Sequence, residues 1–350
     1  VEVTLKDIEQ IDARSQLIID VRSPKEYEEF HIPEAINIPI FSDEERAKIG
    51  TIYKRVGEED AKELGLQLFA PKLPGFYKQL RDLLIETAKN EVLFYCARGG
   101  MRSRSFVVTM AMMGLPCTQL RGGIRAFRQE IIAKLKKQEN RSRSFIVLNG
   151  YTGSRKTDLL QSLKKLGYPV LDLEGLAGHR GSIFGQIGMK PNSQKTFEML
   201  LVQELEKLKD AQYILIEGES KRIGKVVIPN FILQGKVVGE QILISYPLEK
   251  RVENIYTIYD PSKYKTNIDE ALGHLEKRLN QPIREKILSA KQNGDYKLIY
   301  KILMADYYDQ RYEYQIQQMK NKQHVIEMSS LNEGLEKLTQ FLTTQLKKTS

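Results

Sequence analysis

The sequence predicts an α/β protein built as two parallel-sheet domains, the second with a helical C-terminal region. Three observations carry this. Short apolar runs alternate with helix-length amphipathic stretches twice over. At 350 residues the chain is too long for one small core. A polar, charged stretch from Ala133 to Ser144 separates the two alternations. Residues 1–132 are therefore expected to form one domain, 133–144 a linker or connecting helix, and 145–350 a second domain.

In the first alternation, Leu17-Ile18-Ile19-Asp20-Val21 reads as a buried strand and Phe76 to Ala88 as an amphipathic helix. Val92-Leu93-Phe94-Tyr95 reads as a strand that runs into Cys96 and a glycine turn. Ser103 to Met113 reads as the following helix, stopped by Gly114-Leu115-Pro116. The second alternation opens with the strand Phe145-Ile146-Val147-Leu148-Asn149. A helix (Lys156 to Leu166), a strand (Tyr168 to Leu173), a helix (Gln194 to Lys209) and strands at Tyr213 to Ile216 and Gln241 to Ser245 follow. From Leu248 to about Gln318 the pattern is mostly helical, broken at Pro261 and Pro282. A last strand is expected at His324 to Met328 and a terminal helix at Asn332 to Leu346.

Composition excludes several classes. The chain is 41% hydrophobic and 28% charged, as in ordinary globular proteins. Its longest apolar run, Val107 to Leu115, is about half of what a bilayer span needs. The start, Val1-Glu2-Val3-Thr4, lacks a signal core, and two cysteines make no disulfide framework. Four histidines show no zinc spacing. A cytoplasmic location with no membrane partner is the expectation. Residues 1–140 hold 22 Lys and Arg against 21 Asp and Glu, and the rest of the chain 32 against 24. The basic excess in the second part fits either a polyanion partner or a solvated surface.

Two loops carry the chemistry. Cys96-Ala97-Arg98-Gly99-Gly100-Met101-Arg102-Ser103 lies where a buried strand gives way to a helix. Converging amides, two glycines and the cations Arg98 and Arg102 favour an anion and a thiolate there. Cys117 reads as a small buried cysteine rather than a resolving thiol. The second loop, Asn149-Gly150-Tyr151-Thr152-Gly153-Ser154-Arg155-Lys156-Thr157, has the strand–loop–helix setting of a P-loop. Gly150, Thr152, Gly153, Ser154, Arg155, Lys156 and Thr157 are the candidate phosphate-binding residues. Arg155 stands where a P-loop usually has its second glycine. Glu217 and Glu219 end a later strand where a metal-binding acid is expected, and no water-positioning residue marks an ATPase. Between these lies a glycine-rich loop around His179-Arg180-Gly181-Ser182, whose plain reading is a surface loop.

Asp20-Val21-Arg22, Glu26-Tyr27, Phe30-His31-Ile32-Pro33 and Ala35-Ile36-Asn37-Ile38-Pro39 resemble the opening signature of the rhodanese fold. Arg121-Gly122-Gly123-Ile124-Arg125-Ala126-Phe127 resembles its closing signature. The resemblance implies a rhodanese-like first domain with sulfur- or selenium-transfer chemistry at Cys96, Arg98 and Arg102. The Cys-x5-Arg spacing is also similar to cysteine phosphatases and arsenate reductases. That leaves a phosphatase or arsenate reductase with an accessory nucleotide-binding domain as the alternative.

With the P-loop, Leu173-Glu174-Gly175-Leu176-Ala177, His179 to Ser182, Phe184-Gly185 and Glu217 to Gly224, the chain resembles the tRNA 2-selenouridine synthase family. The resemblance implies conversion of wobble 2-thiouridine in the tRNA anticodon loop to 2-selenouridine through an S-geranyl intermediate. Its substrates would be geranyl diphosphate and selenophosphate, with no tightly bound cofactor, and with Mg2+ and a selenophosphate-producing partner enzyme left open. Cys96 would carry selenium as a perselenide. His179, Arg180, Ser182, Phe184, Glu217, Glu219 and Arg222 would contact substrate, and no residue is assigned to a metal. Tyr256, Tyr259, Tyr264, Tyr296, Tyr300, Tyr307, Tyr308, Tyr312 and Tyr314 interleave with basic residues in the helical region. Core packing is the expected role of most of them, base stacking of the remainder.

Overall fold

In the computed structural model, which describes residues 2–318 and 323–349, the chain forms two compact units, Val1–Lys137 and Gln138–Ser350. Unit one is a five-stranded parallel sheet. Its strands are β1 (Leu5–Lys6), β2 (Gln16–Asp20), β3 (Ile36–Asn37), β4 (Glu91–Tyr95) and β5 (Cys117–Leu120), in the order β1-β5-β4-β2-β3. Its helices are α1 (Pro24–Glu29), α2 (Asp43–Arg55), α3 (Glu58–Phe69), α4 (Leu73–Thr87), α5 (Met101–Met112) and α6 (Gly123–Glu139). Residues of β2 and β4 are buried almost throughout, as expected of central parallel strands covered on both faces. The core packs Ile19, Val21, Phe94, Phe106 and Met110.

The residues of the opening signature build this frame. Arg22 Nη2 donates to Asp20 Oδ2 at 2.6 Å and to the Phe30 carbonyl at 2.6 Å. Asn37 donates to the carbonyls of Asp20 and Arg22 at 2.9 Å. These buried bonds fix α1 beside the C-terminal end of β2, the edge where ligands of parallel sheets bind.

Unit two is a second parallel sheet of β6 (Ser144–Gly150), β7 (Val170–Leu171), β8 (Tyr213–Glu217), β11 (Glu240–Ser245) and β12 (Gln323–Glu327), ordered β12-β11-β6-β8-β7. A two-stranded ribbon, β9 (Arg222–Ile223) and β10 (Val226–Val227), stands apart from it. Helices α7 (Lys156–Lys165), α8 (Leu173–Ala177), α9 (Gln194–Lys207), α10 (Asn230–Val238) and α16 (Leu331–Thr349) accompany the strands. The helical region comprises α11 (Leu248–Ile258), α12 (Pro261–Glu276), α13 (Gln281–Gln292), α14 (Tyr296–Ile302) and α15 (Asp309–Gln318). One π-helical turn, Leu303–Tyr308, joins α14 to α15.

This region has its own core, in which Tyr259, Tyr296, Tyr300 and Tyr307 are buried, Tyr264 and Tyr308 pack against it, and Tyr256 is the most exposed. The side chain of Tyr314 lies outside the described residues. Helix α6 runs through Ala133 to Glu139, where a linker or connecting helix was expected, and only residues 140–143 intervene before β6. Among the described residues, no helix is long and apolar enough to cross a membrane.

Candidate functional sites

Cys96 follows β4 directly and is 3% exposed, yet it lines a cleft of about 1030 Å³. The loop after it is pinned by the β5–α6 turn. Ile124 N–H donates to the Cys96 carbonyl at 2.9 Å, and Arg125 N–H to the Ala97 carbonyl at 3.2 Å. Gly99 (φ +66°) and Gly123 (φ +58°) sit in this crossing, where a Cβ on Gly123 would run into the Cys96 carbonyl. This close approach explains the glycines of the closing signature.

The thiol is tuned by loop amides and Arg102 together with Ser103 and Gln119, which sequence reasoning missed. Burial opposes ionisation. The Ser103 hydroxyl, 3.2 Å from Sγ, outweighs it together with the N–H groups of Ser103 and Arg98 and the charge of Arg102, so the thiol lies below its ordinary value. Ser103 is held in turn by Gln119 Nε2 at 2.7 Å, which also donates to the Gly99 and Gly100 carbonyls. Arg102 forms a forked pair with Glu26 of α1 at 2.7 and 3.3 Å. Glu26 is accordingly held below the ordinary carboxylate range despite its burial. Lys25, Arg46, Lys54, Arg55 and Arg98 also line the cleft, against the acidic Asp43. Net charge over residues 1–140 concealed this basic mouth, because the acids Glu58, Glu59, Asp60 and Glu63 sit on α3 instead.

Cys117 is aligned with Val92, four residues before Cys96 on the neighbouring strand. That places it about 13 Å from Cys96 at the usual rise per residue, beyond disulfide reach. Burial and Glu91 push its thiol up to about 12.

The second site forms where β6 meets α7. Gly150, Gly153 and Arg155 all take positive φ, at +153°, +80° and +61°. Arg155 thus keeps the left-handed backbone that the usual glycine would supply, and its Nε pairs with Asp158 at 2.7 Å. Lys156 Nζ lies over the loop, donating to the Gly150 carbonyl at 2.8 Å and the Tyr151 carbonyl at 3.3 Å. Helix α11 grips the loop from the other side. Arg251 donates to the Thr152 carbonyl at 3.2 Å while forming a partly buried bidentate pair with Asp309 at 3.0 and 2.7 Å. Asn254 donates to the Gly153 carbonyl at 3.2 Å. Neither brace was legible, since the partners lie about a hundred residues apart.

A cleft of about 400 Å³ opens here, lined by Thr152 to Asp158, Arg180, Ser182, Glu217, Glu219, Tyr259, Tyr308, Arg311 and Tyr312. Ligand atoms of Glu174, Glu217 and Glu219 come within 4.8 Å of one another. Thr157 Oγ1 donates to Glu174 at 3.3 Å. Burial and mutual repulsion raise both Glu174 and Glu217 far above the ordinary carboxylate value, Lys156 only partly offsetting this. Glu217 Oε1 is buried without a hydrogen-bond partner. Three converging oxygens, one orphaned, beside a Thr hydroxyl and a phosphate loop suit a hard divalent cation. No metal ligand was assigned from sequence. Glu174 was not singled out as a site residue, although its stretch carried the family resemblance, because only the fold brings α8 beside the end of β8.

Other expected substrate residues lie elsewhere. His179 does not line the cleft. Its ring packs against Gly185 and Gly224, and Nδ1 accepts from Gly181 N–H at 3.1 Å, which shapes the glycine-rich loop. Burial and Arg180 lower its pKa. Phe184 is buried against Tyr259 and Tyr300 in the helical core. Arg222 is exposed on β9. Arg180 and Ser182 do face the cleft, Ser182 Oγ lying 3.5 Å from the Tyr259 hydroxyl.

Residues 143–348 match the family described as the tRNA 2-selenouridine synthase AAA domain, and residues 4–130 match the rhodanese-like domain. The chain belongs to the tRNA 2-selenouridine synthase family. A tRNA 2-selenouridine synthase of Sulfurovum sp. is 30% identical over 89% of this chain and 92% of its own length. That of Hydrogenovibrio crunogenus is 31% identical over 90% and 93%. That of Nitrosomonas europaea is 34% identical over 74% and 67%. The two family matches divide the chain as the two sites do: the rhodanese-like match spans Cys96 and the synthase-domain match spans Lys156 with its carboxylates.

Proposed function

We propose that the chain converts wobble 2-thiouridine of tRNA to 2-selenouridine in two steps, one at each site. What carries the reading is the combination, within one family member, of a thiol lowered in an anion-binding loop and a P-loop lysine beside clustered carboxylates. The alternative, a phosphatase or arsenate reductase with an accessory nucleotide-binding domain, leaves the second unit without a step of its own, whereas the family relation spans both units.

In the first step the uridine sulfur attacks C1 of geranyl diphosphate. The S–C bond forms, the C–O bond breaks and diphosphate leaves. The loop amides from Thr152 to Thr157 and Lys156 stabilise the departing charge. Ile255, Ile258 and Tyr308 offer the same cleft an apolar wall for the prenyl chain. Glu174, Glu217, Glu219 and the Thr157 hydroxyl would hold Mg2+, which when bound supplies positive charge to the diphosphate. Arg180 and Ser182 orient the nucleoside.

The second step belongs to Cys96, since an alkylated sulfur leaves C2 more readily than a bare one. Electron counting amends the perselenide expectation. Selenium in selenophosphate is at the selenide level, so handing it to a thiolate as a perselenide would release phosphite rather than phosphate. A redox-neutral course has the Cys96 thiolate attack C2 and expel geranylthiolate. Selenium of selenophosphate then attacks C2 and frees Cys96, and water cleaves the Se–P bond to leave phosphate. Arg98, Arg102 and the loop amides hold the phosphoryl group. A selenophosphate-producing enzyme in the cytoplasm is the partner this requires.

The test is mass spectrometry of wobble nucleosides after incubating the full chain with 2-thiouridine tRNA, geranyl diphosphate and selenophosphate. S-geranyl-2-thiouridine should rise first and 2-selenouridine follow. Thiolated tRNA left unchanged by both donors would sink the proposal.

A further inference from the structure

Helices α2 and α3 form a hairpin beside the Cys96 loop that is poorly filled. Helix α2 buries no residue, and α3 buries only Ala61 and Phe69. Between the hairpin and the start of α5 lies a groove of about 500 Å³, walled by Phe41, Ile49, Tyr53, Leu66, Phe69 and Met101. That volume is within the range of small-ligand sites, about 300–1,000 Å³. Three of these side chains are strongly exposed: Tyr53 at 58%, Leu66 at 65% and Met101 at 57%. Clustered exposure of this kind marks a binding surface rather than scattered surface apolarity.

Two further observations say what fits. The groove is continuous with the catalytic cleft, because Phe41, Ile49, Tyr53 and Met101 line both. An apolar chain lying in it can therefore extend into the cleft that Cys96 lines. Gly65 sits in the interior of α3, where glycine weakens a helix relative to alanine. A Cβ there would meet only Phe41, at an ordinary 3.6 Å. Neither backbone conformation nor close packing demands this glycine, and what it leaves is room on the groove wall.

We infer that this groove binds the geranyl chain of the S-geranyl thioether and so presents C2 of the uridine to the Cys96 thiolate. The inference rests on the two-step reading above. It gives unit one a lipid-recognising subsite of its own, separate from the diphosphate cleft of unit two. It also makes the geranyl group a recognition handle for the second step as well as a leaving-group activator.

The test uses the full chain with methionine methyls labelled with carbon-13, the Met101 signal being assigned by Met101→Leu. S-geranyl-2-thiouridine should shift the Met101 resonance, and S-methyl-2-thiouridine should not. Gly65→Leu, which fills the groove, should weaken that geranyl response roughly tenfold or more, as expected when several methylenes lose their burial. Gly65→Ala should respond like wild type and shows that the helix tolerates the position. A Met101 signal unmoved by the geranyl nucleoside, or one that moves equally in a folded Gly65→Leu variant, overturns the inference. The same wild-type protein is then given geranylated tRNA and selenophosphate. Failure to form 2-selenouridine there, with the Met101 shift present, leaves the groove as a geranyl site and sinks only the two-step reading.

Discussion

The two sites share a topology and invert its electrostatics. In both, a central parallel strand ends, a glycine-containing loop turns, and a helix begins, a setting whose backbone amides favour an anion. Around Cys96 the charged residues of the cleft lining are cations apart from Asp43, and the Glu26 carboxylate nearby is tied to Arg102. Around Lys156 three carboxylates crowd the cation. One loop is built to stabilise a negative charge on the protein, the Cys96 thiolate. On the two-step proposal, the other would stabilise one on a substrate, and a divalent cation would balance its acids. The strand–loop–helix element thus supplies a cradle, and the side chains brought in from other elements decide what chemistry it performs.

The contrast is broken most severely at Lys156. Lys156→Ala should lower S-geranylation of thiolated tRNA by about 10²–10³-fold, the usual cost of losing one charge-stabilising donor. Single-turnover assays with geranyl diphosphate measure it. A loss below fivefold would remove the lysine from the leaving-group role. Arg251→Met tests the brace on the same loop. Leaving the partly buried Asp309 unpaired should destabilise unit two by about 1–3 kcal/mol. Arg251→Met with Asp309→Leu should recover most of this in urea unfolding.

The acid cluster gives a smaller, pH-dependent effect. Glu174 and Glu217 have folded pKa values raised above the ordinary 4.5, so the folded chain binds more protons than the unfolded one. Their contribution to stability is fully present below 4.5 and declines as pH rises through the raised values. Without Mg2+, urea midpoints should fall from pH 5 to pH 8; millimolar Mg2+ should reverse the fall, and Glu217→Gln should flatten it. A midpoint that rises with pH in the Mg2+-free protein contradicts the cluster. The smallest effect is at Arg155. Replacing a non-glycine residue in left-handed backbone relieves about 1–2 kcal/mol of strain, and glycine returns about 0.5–1 kcal/mol as lost entropy. Arg155→Gly should therefore stabilise slightly, by about 0.5 kcal/mol, in thermal melts.

The sequence made legible what is local. Cys96 with its two arginines, the P-loop from Gly150 to Thr157 and the parallel strands that present them are each encoded in one contiguous stretch. The contacts that set the chemistry are not. Ser103 and Gln119 reach Cys96 through helix and sheet geometry, Glu174 reaches Glu217 across α8, and Arg251 and Asp309 clasp the P-loop from the helical region. His179 and Phe184 show the converse. They stand in the most distinctive stretch of the second half, yet one shapes a loop and the other fills a core. The α2–α3 hairpin escaped notice because its apolar residues are too few and too exposed to give a clear helical stripe.

The division of labour between the sites is tested most directly by Cys96→Ser, assayed on 2-thiouridine tRNA with both donors present. Serine keeps the size and hydrogen bonding of the position but supplies no thiolate. The account predicts that S-geranyl-2-thiouridine accumulates at the wild-type rate and that 2-selenouridine stays at background by mass spectrometry. Formation of 2-selenouridine by Cys96→Ser, or loss of geranylation along with it, would contradict two sites with one step each.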